Sequence, residues 1–420
     1  MANKNYDAFV ESYNNFDSRP LAGESMRKFY VDDFTKDITT SIIKTIQITE
    51  RFRKILVIGH TGCGKSTILN KVAEELKDQY HVVAFSVANE LNMMDIETID
   101  ILSTIYLQLI CTLKDMQQGL EGILKSFGEL VKNIKKKLNL EEVEFKLLES
   151  ISFKIKVESE SRDAIREAFR NQVETIQQNI SKVCEEIREK TKKDILIIID
   201  DLDKLKDEAA TEKIFFKESH MITMPKAKII FTFPLATYYS SEFLLITDKF
   251  SHEFIRLVNL YDIEKNYLES SFAILKKLVL KRIEKTLISD EALKYLIDHS
   301  GGLLRDLIKF MQDACKIVID RELPVIDDET AKKVIRDKFN EYGRLFDFPR
   351  YESEVKKIIE TQNKFAIENK TLVYLLRYLF ILEYGRQGEQ TWYDAHPCLK
   401  SLVRLDKENI NIPDEWLEDS

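Results

Sequence analysis

The sequence predicts an α/β fold: a P-loop-type core in which a parallel sheet is flanked by helices. To this it adds a large helical insertion, a helical lid and a C-terminal winged-helix-like domain. Three observations carry the prediction. A short apolar run, Ile55 to Ile58, leads through a glycine-rich turn into a helical pattern. A second run of five aliphatics, Ile195 to Ile199, ends in Asp200-Asp201. Between them lies a long segment without proline, whose apolar residues recur at three and four positions. Short apolar runs of this kind are strands buried on both faces, and the longer periodic segments are helices.

Residues 1–50 form a polar lead-in followed by an amphipathic segment, Asp37 to Ile48. Phe29-Tyr30-Val31 precedes the first strand. Tyr30 is a candidate to stack on a nucleotide base, with plain core burial as the competing reading. Next comes Gly59-His60-Thr61-Gly62-Cys63-Gly64-Lys65-Ser66, followed by Thr67 and the helical pattern. This is G-x-x-x-x-G-K-S between a strand and a helix, the phosphate-binding P-loop. Its glycines let the backbone curl until several N–H groups point at one phosphate, and the helix N-terminus adds partial positive charge. Lys65 reaches the β- and γ-phosphates in such loops, and the Ser66 hydroxyl ligates Mg²⁺. The motif implies a nucleoside triphosphate, read as ATP, with Mg²⁺.

The helix after the loop is expected over Ser66 to Gln79 and a second strand over His81 to Val87. Residues 95–193 read as the helical insertion, with Ile99, Leu102, Ile105, Tyr106 and Leu109 on one face. It contains the basic run Lys132 to Lys137, read as a solvated helix face, and a partly alternating segment, Glu142 to Val157, that suits a hairpin. Asp200, ending the Ile195–Ile199 strand, is the candidate second Mg²⁺ ligand. Asp201 is the candidate to polarise the attacking water. A third strand, Lys228 to Phe233, brings Thr232 to a strand end, where a polar side chain can sit beside the γ-phosphate. A further strand is expected at Phe254 to Val258. From Ile263 the pattern is helical, and Gly301-Gly302 ends one helix just before Arg305 opens the next, which suits a nucleotide-sensing arginine.

After residue 327 come helical patterns at Asp328 to Glu341 and Glu352 to Ile367, then an apolar helix, Leu372 to Leu382. A hairpin over Glu383 to Tyr393, turning at glycine, completes a winged-helix-like order. His396, before Pro397, reads as a turn histidine packed under Trp392 rather than a catalytic or metal-bound one. The expected domains are 1–50, 51–262, 263–326 and 327–420.

Bulk composition narrows the class. A 44% hydrophobic and 32% charged chain with Gly 12 and Pro 7 is an ordinary helix-rich globular protein. The formal charge of -8 argues against a surface coated for nucleic acid, although Lys+Arg still number 63. The five cysteines show no paired or metal spacing and read as reduced cytoplasmic thiols. No apolar signal or membrane-spanning run stands out, so no membrane partner is expected.

With the P-loop, Asp200-Asp201, the polar strand end and Gly-Gly-x-x-Arg in this order, residues 29–320 resemble ATPases of the AAA+ and STAND group, above all the origin-recognition-like and KAP-like branches. The resemblance implies ATP hydrolysis, a homo-oligomer or a separate effector protein as partner, and roles that include bacterial anti-phage defence. The chain departs from the pattern in carrying Asp201 where Glu is usual, which implies slow turnover. No arginine finger is assignable; Arg256, on the expected strand after Thr232, is the one candidate. A DNA-binding origin-recognition-like ATPase is the alternative. It is not favoured, because Lys370 and Arg377 are the only cations near the apolar helix and the wing offers only Arg386. A small-molecule kinase lacks an acceptor motif.

Overall fold

The structure, a computed structural model, describes residues 5–49, 52–115, 128, 132, 159–205, 207–385 and 390–404. These fall into two compact units. One gathers the described residues of Asp37–Ile58 and Ile68–Phe254; the other gathers those of Met1–Lys36, Gly59–Thr67 and Ile255–Ser420.

The first unit is built on a five-stranded parallel sheet in the order β2-β3-β4-β1-β5. The strands are β1 (Lys54–Gly59), β2 (Tyr80–Ser86), β3 (Asp194–Asp200), β4 (Lys228–Pro234) and β5 (Phe250–Phe254). β1 and β4 carry almost continuous burial, as strands covered on both faces must. β4 is inserted between β1, which leads into the glycine loop, and β3, which ends in the acids. The Ile199–Phe231 pair on β3 and β4 puts Thr232 one residue further, at the level of Asp200. At the other end of the sheet the Lys54 ammonium is buried and donates to the carbonyls of Phe52, Pro225 and Ala227. Burial pushes its pKa down to about 7.

The fifth strand lies four residues earlier than expected, at Phe250–Phe254. As the sheet's edge it needs few buried side chains. Ser251, His252 and Glu253 are half-buried or exposed, and Glu253 is held by the Ser41 and Thr45 hydroxyls. The more apolar Ile255, Leu257 and Val258 are buried without joining the sheet.

Numbering only helices of seven residues or more, α1 is Tyr6–Asn15, α2 Gly23–Phe29, α3 Lys36–Ile48, α4 Lys65–Leu76, α5 Thr98–Asp115, α6 Ser159–Arg170 and α7 Val173–Thr191. The expected α5 stripe is buried in full: Ile99, Leu102, Ile105, Tyr106 and Leu109 are at most 1% exposed. α6 is tied back by charge. The Arg166 guanidinium is buried and bonds Asp100 at 2.6 Å and the Asp95 carbonyl at 2.6 Å. Burial pushes the Asp100 carboxyl up against the opposing pull of Arg166. Removing one partner strands the other charge, so Arg166→Ala is expected to cost about 3 kcal/mol in urea unfolding. The double variant with Asp100→Ala should recover part of that loss. Of the basic run Lys132 to Lys137, all but Lys132 lies outside the described residues, as do segment 142–157 and Arg386.

In the second unit, α1 packs on α10 (Leu304–Arg321), and α10 is preceded by α8 (Glu269–Leu280) and α9 (Asp290–His299). α11 (Asp328–Leu345) packs on α9 and α10; α12 (Phe348–Thr361), α13 (Asn369–Arg377) and α14 (Pro397–Arg404) are the remaining helices among the described residues. The apolar run Leu372 to Leu382 is not one helix. α13 stops at Arg377, Leu379 turns to φ 60, and Phe380 N–H closes on the Leu375 carbonyl. The turn seats Phe380 in the core and starts β6 (Ile381–Tyr384), which pairs antiparallel with β7 (Trp392–Ala395). Among the described residues no helix is long and apolar enough to cross a membrane.

Candidate functional site

The phosphate-binding loop belongs to the second unit. β1 ends at Gly59 and α4 begins at Lys65, so the loop delivers its chain directly into a helix N-terminus. Gly62 and Gly64 sit at φ 92 and φ 99, which side-chain-bearing residues rarely adopt. Lys65 is buried at 4% exposure, and its ammonium donates to the carbonyls of Gly59 at 2.9 Å and His60 at 2.7 Å. Cys63 is buried with its Sγ against Gly59, while Thr61 and Ser66 are half-buried. The Thr67 hydroxyl accepts the Leu21 N–H at 3.1 Å, which anchors the lead-in to the start of α4. A loop with two left-handed glycines, a lysine and the N–H groups of a helix start fits a polyphosphate.

The first turn of α10 lies on this loop. Arg305 N–H donates to the Gly62 carbonyl at 3.1 Å, and a Cβ built on Gly62 would stand 2.8 Å from that of Arg305. Glycine at 62 is thus required twice, by its φ and by the approach of the helix. Among the described residues the Arg305 guanidinium makes no hydrogen bond or ion pair; its charge stands beside the loop and helps hold down the neighbouring Asp306 carboxyl. Gly301 (φ 59) and Gly302 (φ 76) make the turn that aims α10 there.

The acids belong to the first unit. Asp200, Asp201 and Asp203 each offer a carboxylate oxygen, all within 4.8 Å of one another, which suits a hard divalent cation. The backbone turns sharply at Asp201, with φ 70. Its carboxylate accepts the Ser86 hydroxyl at 2.5 Å and pairs with the Lys204 ammonium. Thr232 is fully buried, and its hydroxyl accepts the Leu202 N–H at 3.0 Å, pinning the turn after β3. Ser86 and Asp203 escaped the sequence reading. Ser86 pairs with Asp200 in register, and its only sequence signal is a polar residue ending an apolar run.

Three other expected residues are held by contacts of their own. Tyr30 caps α2, half-buried, with its carbonyl bonded by Lys281 Nζ at 2.5 Å. Arg256 lies beyond β5 rather than on a strand, and its guanidinium is paired with the buried Glu383 carboxylate. His396 is fully buried, but its ring meets Tyr342 rather than Trp392, and its Nε2 lies 3.1 Å from the Asp306 carboxylate. Burial pushes the Asp306 carboxyl up, but the His396 hydrogen bond, then the charges of His396, Lys338 and Arg305, hold it below the usual range.

Burial, then the charges of Lys65 and Arg256, pushes the His60 imidazole from 6.5 down to about 3. The unfolded chain therefore takes up a proton that the folded chain refuses. Stability is fully present above about 6.5 and is lost as pH falls toward 3, at about 1.4 kcal/mol per pH unit from this residue. Urea midpoints between pH 7 and 5 should fall accordingly, and His60→Gln should flatten that slope.

Residues 42–214 match the AAA ATPase domain family (AAA_16). Among solved structures, the chain is similar to that of Drosophila ORC bound to DNA, at 10% identity, covering 94% of this chain and 92% of that one with a TM-score of 0.43. It is also similar to the Thermotoga maritima RuvB Holliday junction branch migration motor, at 14% identity, 92% and 98% coverage and a TM-score of 0.36. A third is Cdc6p from Pyrobaculum aerophilum, at 13% identity, 93% and 95% coverage and a TM-score of 0.37. No curated protein matches the chain.

Proposed function

We propose that this chain is an ATP-hydrolysing switch or assembly ATPase that controls a partner protein, acting as a homo-oligomer or on a separate effector. The observation that carries the reading is the seating of Arg305 on the phosphate-binding loop: its N–H bonds Gly62 O at 3.1 Å, and among the described residues its guanidinium makes no hydrogen bond or ion pair. A catalytic loop needs only the lysine. A switch also needs a group that reports the phosphates to a lid, and the 263–326 region supplies it. The match of residues 42–214 to the AAA ATPase domain family supports the same reading.

In this reading Lys65 and the loop N–H groups hold the phosphates, while Ser66 and Asp200 hold Mg²⁺. Mg²⁺, when bound, neutralises phosphate charge. Asp201 orients the attacking water. Its carboxylate is already engaged by Ser86 and Lys204, which supports slow or partner-stimulated turnover. Thr232 holds the turn that places Asp201. The 327–420 region, winged-helix-like in its helices and hairpin, is the regulatory or partner-contacting part.

The test is phosphate release from ATP, together with solution mass measured by light scattering with ADP and with a non-hydrolysable ATP analogue. Release that needs Lys65, with a mass that rises with the analogue, supports an assembly ATPase. Absence of both nucleotide binding and release would overturn the reading. Asp201→Asn is expected to bind ATP like the parent and to lower turnover about 100-fold or more, the usual contribution of a positioned base. Parental turnover would place the base elsewhere.

A further inference from the structure

The first variable residue of the phosphate-binding loop is a histidine, and its side chain does not serve the loop's mouth. His60 is 3% exposed, and its Nε2 accepts the backbone N–H of Glu383, in β6, at 2.8 Å. Because Nε2 accepts, the ring proton sits on Nδ1, which is buried with no hydrogen-bond partner among the described residues. A buried orphan donor costs about 1–3 kcal/mol, so the contact is maintained against a penalty. The same residue's carbonyl accepts the Lys65 ammonium at 2.7 Å.

The β6 side is equally fixed. The Glu383 carboxylate is buried, paired with Arg256 and bonded by Tyr393 Oη of β7 at 3.2 Å. One residue on, Tyr384 Oη donates to the Gly301 carbonyl at 2.9 Å, in the turn that aims α10. Glu383 N–H thus meets the loop and Tyr384 meets the arginine turn, so β6 spans both elements that would contact the phosphates.

We infer that His60 is a positioning residue that couples the phosphate-binding loop to the β6–β7 hairpin, so that nucleotide and the C-terminal region report on each other through one imidazole. The inference rests on the ATP reading above and adds its output. When phosphate draws Lys65 from the His60 carbonyl, the loop's hold on β6 changes. Any partner that shifts the hairpin changes nucleotide affinity by the same factor, because coupling between binding sites is reciprocal.

The experiment uses the full chain, with ATP and ADP as probes, and reads calorimetric affinity together with hydrogen exchange of peptides covering 381–385. In the parent, ATP should alter exchange of the Glu383 amide. In His60→Leu, which has no acceptor, nucleotide should bind about tenfold more weakly, and that amide should exchange alike with and without ATP. His60→Gln, whose Oε1 can accept the same N–H, should restore the nucleotide-linked difference. His60→Ala serves where leucine impairs folding, and carries the same expectation. A purely structural histidine would change exchange equally in both nucleotide states. Nucleotide-dependent protection that persists in His60→Leu or His60→Ala would overturn the coupling. If the parent binds ATP and 381–385 does not respond, the coupling fails and the ATP reading stands; if the parent binds neither nucleotide, both fall.

Discussion

Lys65→Ala is expected to lower ATP affinity by about 10- to 150-fold, the worth of a hydrogen bond from a charged donor to phosphate. It should lower turnover by a further factor of about 100 to 1,000, as for loss of one donor to developing charge. The folded protein should survive the change. Lys65 is buried, but it bonds carbonyls of its own loop at 2.9 and 2.7 Å, and the removed ammonium is one that had to be desolvated. Two opposing terms therefore meet in stability, leaving carbonyls short of a donor while relieving a buried charge. Thermal unfolding without nucleotide should move by a few degrees at most, and the stabilisation by a fixed concentration of ATP should shrink in step with the lost affinity. That split separates a phosphate-binding lysine from a structural one. A variant with parental affinity and turnover would remove the nucleotide assignment altogether.

What the sequence made legible follows from how local each signal is. β1, β3 and β4 were readable because a strand covered on both faces must be apolar throughout, and five aliphatics before Asp200 have little other use. The α5 stripe was readable because Ile99 to Leu109 repeat with the helical period. β5 was placed four residues late because burial and pairing separate there: the middle of the edge strand is polar, while the buried Ile255, Leu257 and Val258 lie outside it. The run from Leu372 to Leu382 hid a boundary, since both α13 and β6 bury apolar residues and the break at Leu379 is a backbone turn in a residue that favours none. In the site, the loop and Arg305 followed from motif spacing. Ser86 on Asp201 and His60 on Glu383 did not. They depend on strand order and on a bond across 323 residues of chain. The conflict at Asp201 is similar: an acid at a strand end suggests a base, and only the folded chain places Ser86 and Lys204 on its oxygens.

The second large effect is expected at Gly302. At φ 76 an alanine is strained by about 1–2 kcal/mol before any contact is considered. Its Cβ would stand 2.0 Å from the Val258 carbonyl oxygen and 3.0 Å from the carbon, and neither can rotate away because both are backbone. The turn is closed by its own bonds: Ser300 Oγ accepts Gly302 N–H at 3.2 Å and donates to the Ile297 carbonyl at 2.7 Å. Relief must therefore move either Val258 or the turn itself. Gly302→Ala should cost about 4 kcal/mol or more in urea unfolding, at the extreme of single substitutions. Gly343→Ala is the matched control, since it lies in α11 with nothing within 4 Å of the added carbon, and helix propensity predicts a gain approaching 1 kcal/mol. Functionally, the shifted turn carries Arg305 away from Gly62, so ATP affinity should fall in molecules that remain folded. If Gly302→Ala instead melts like its parent while Gly343→Ala gains as expected, the turn is not the rigid mount for Arg305 that the proposed sensing role requires.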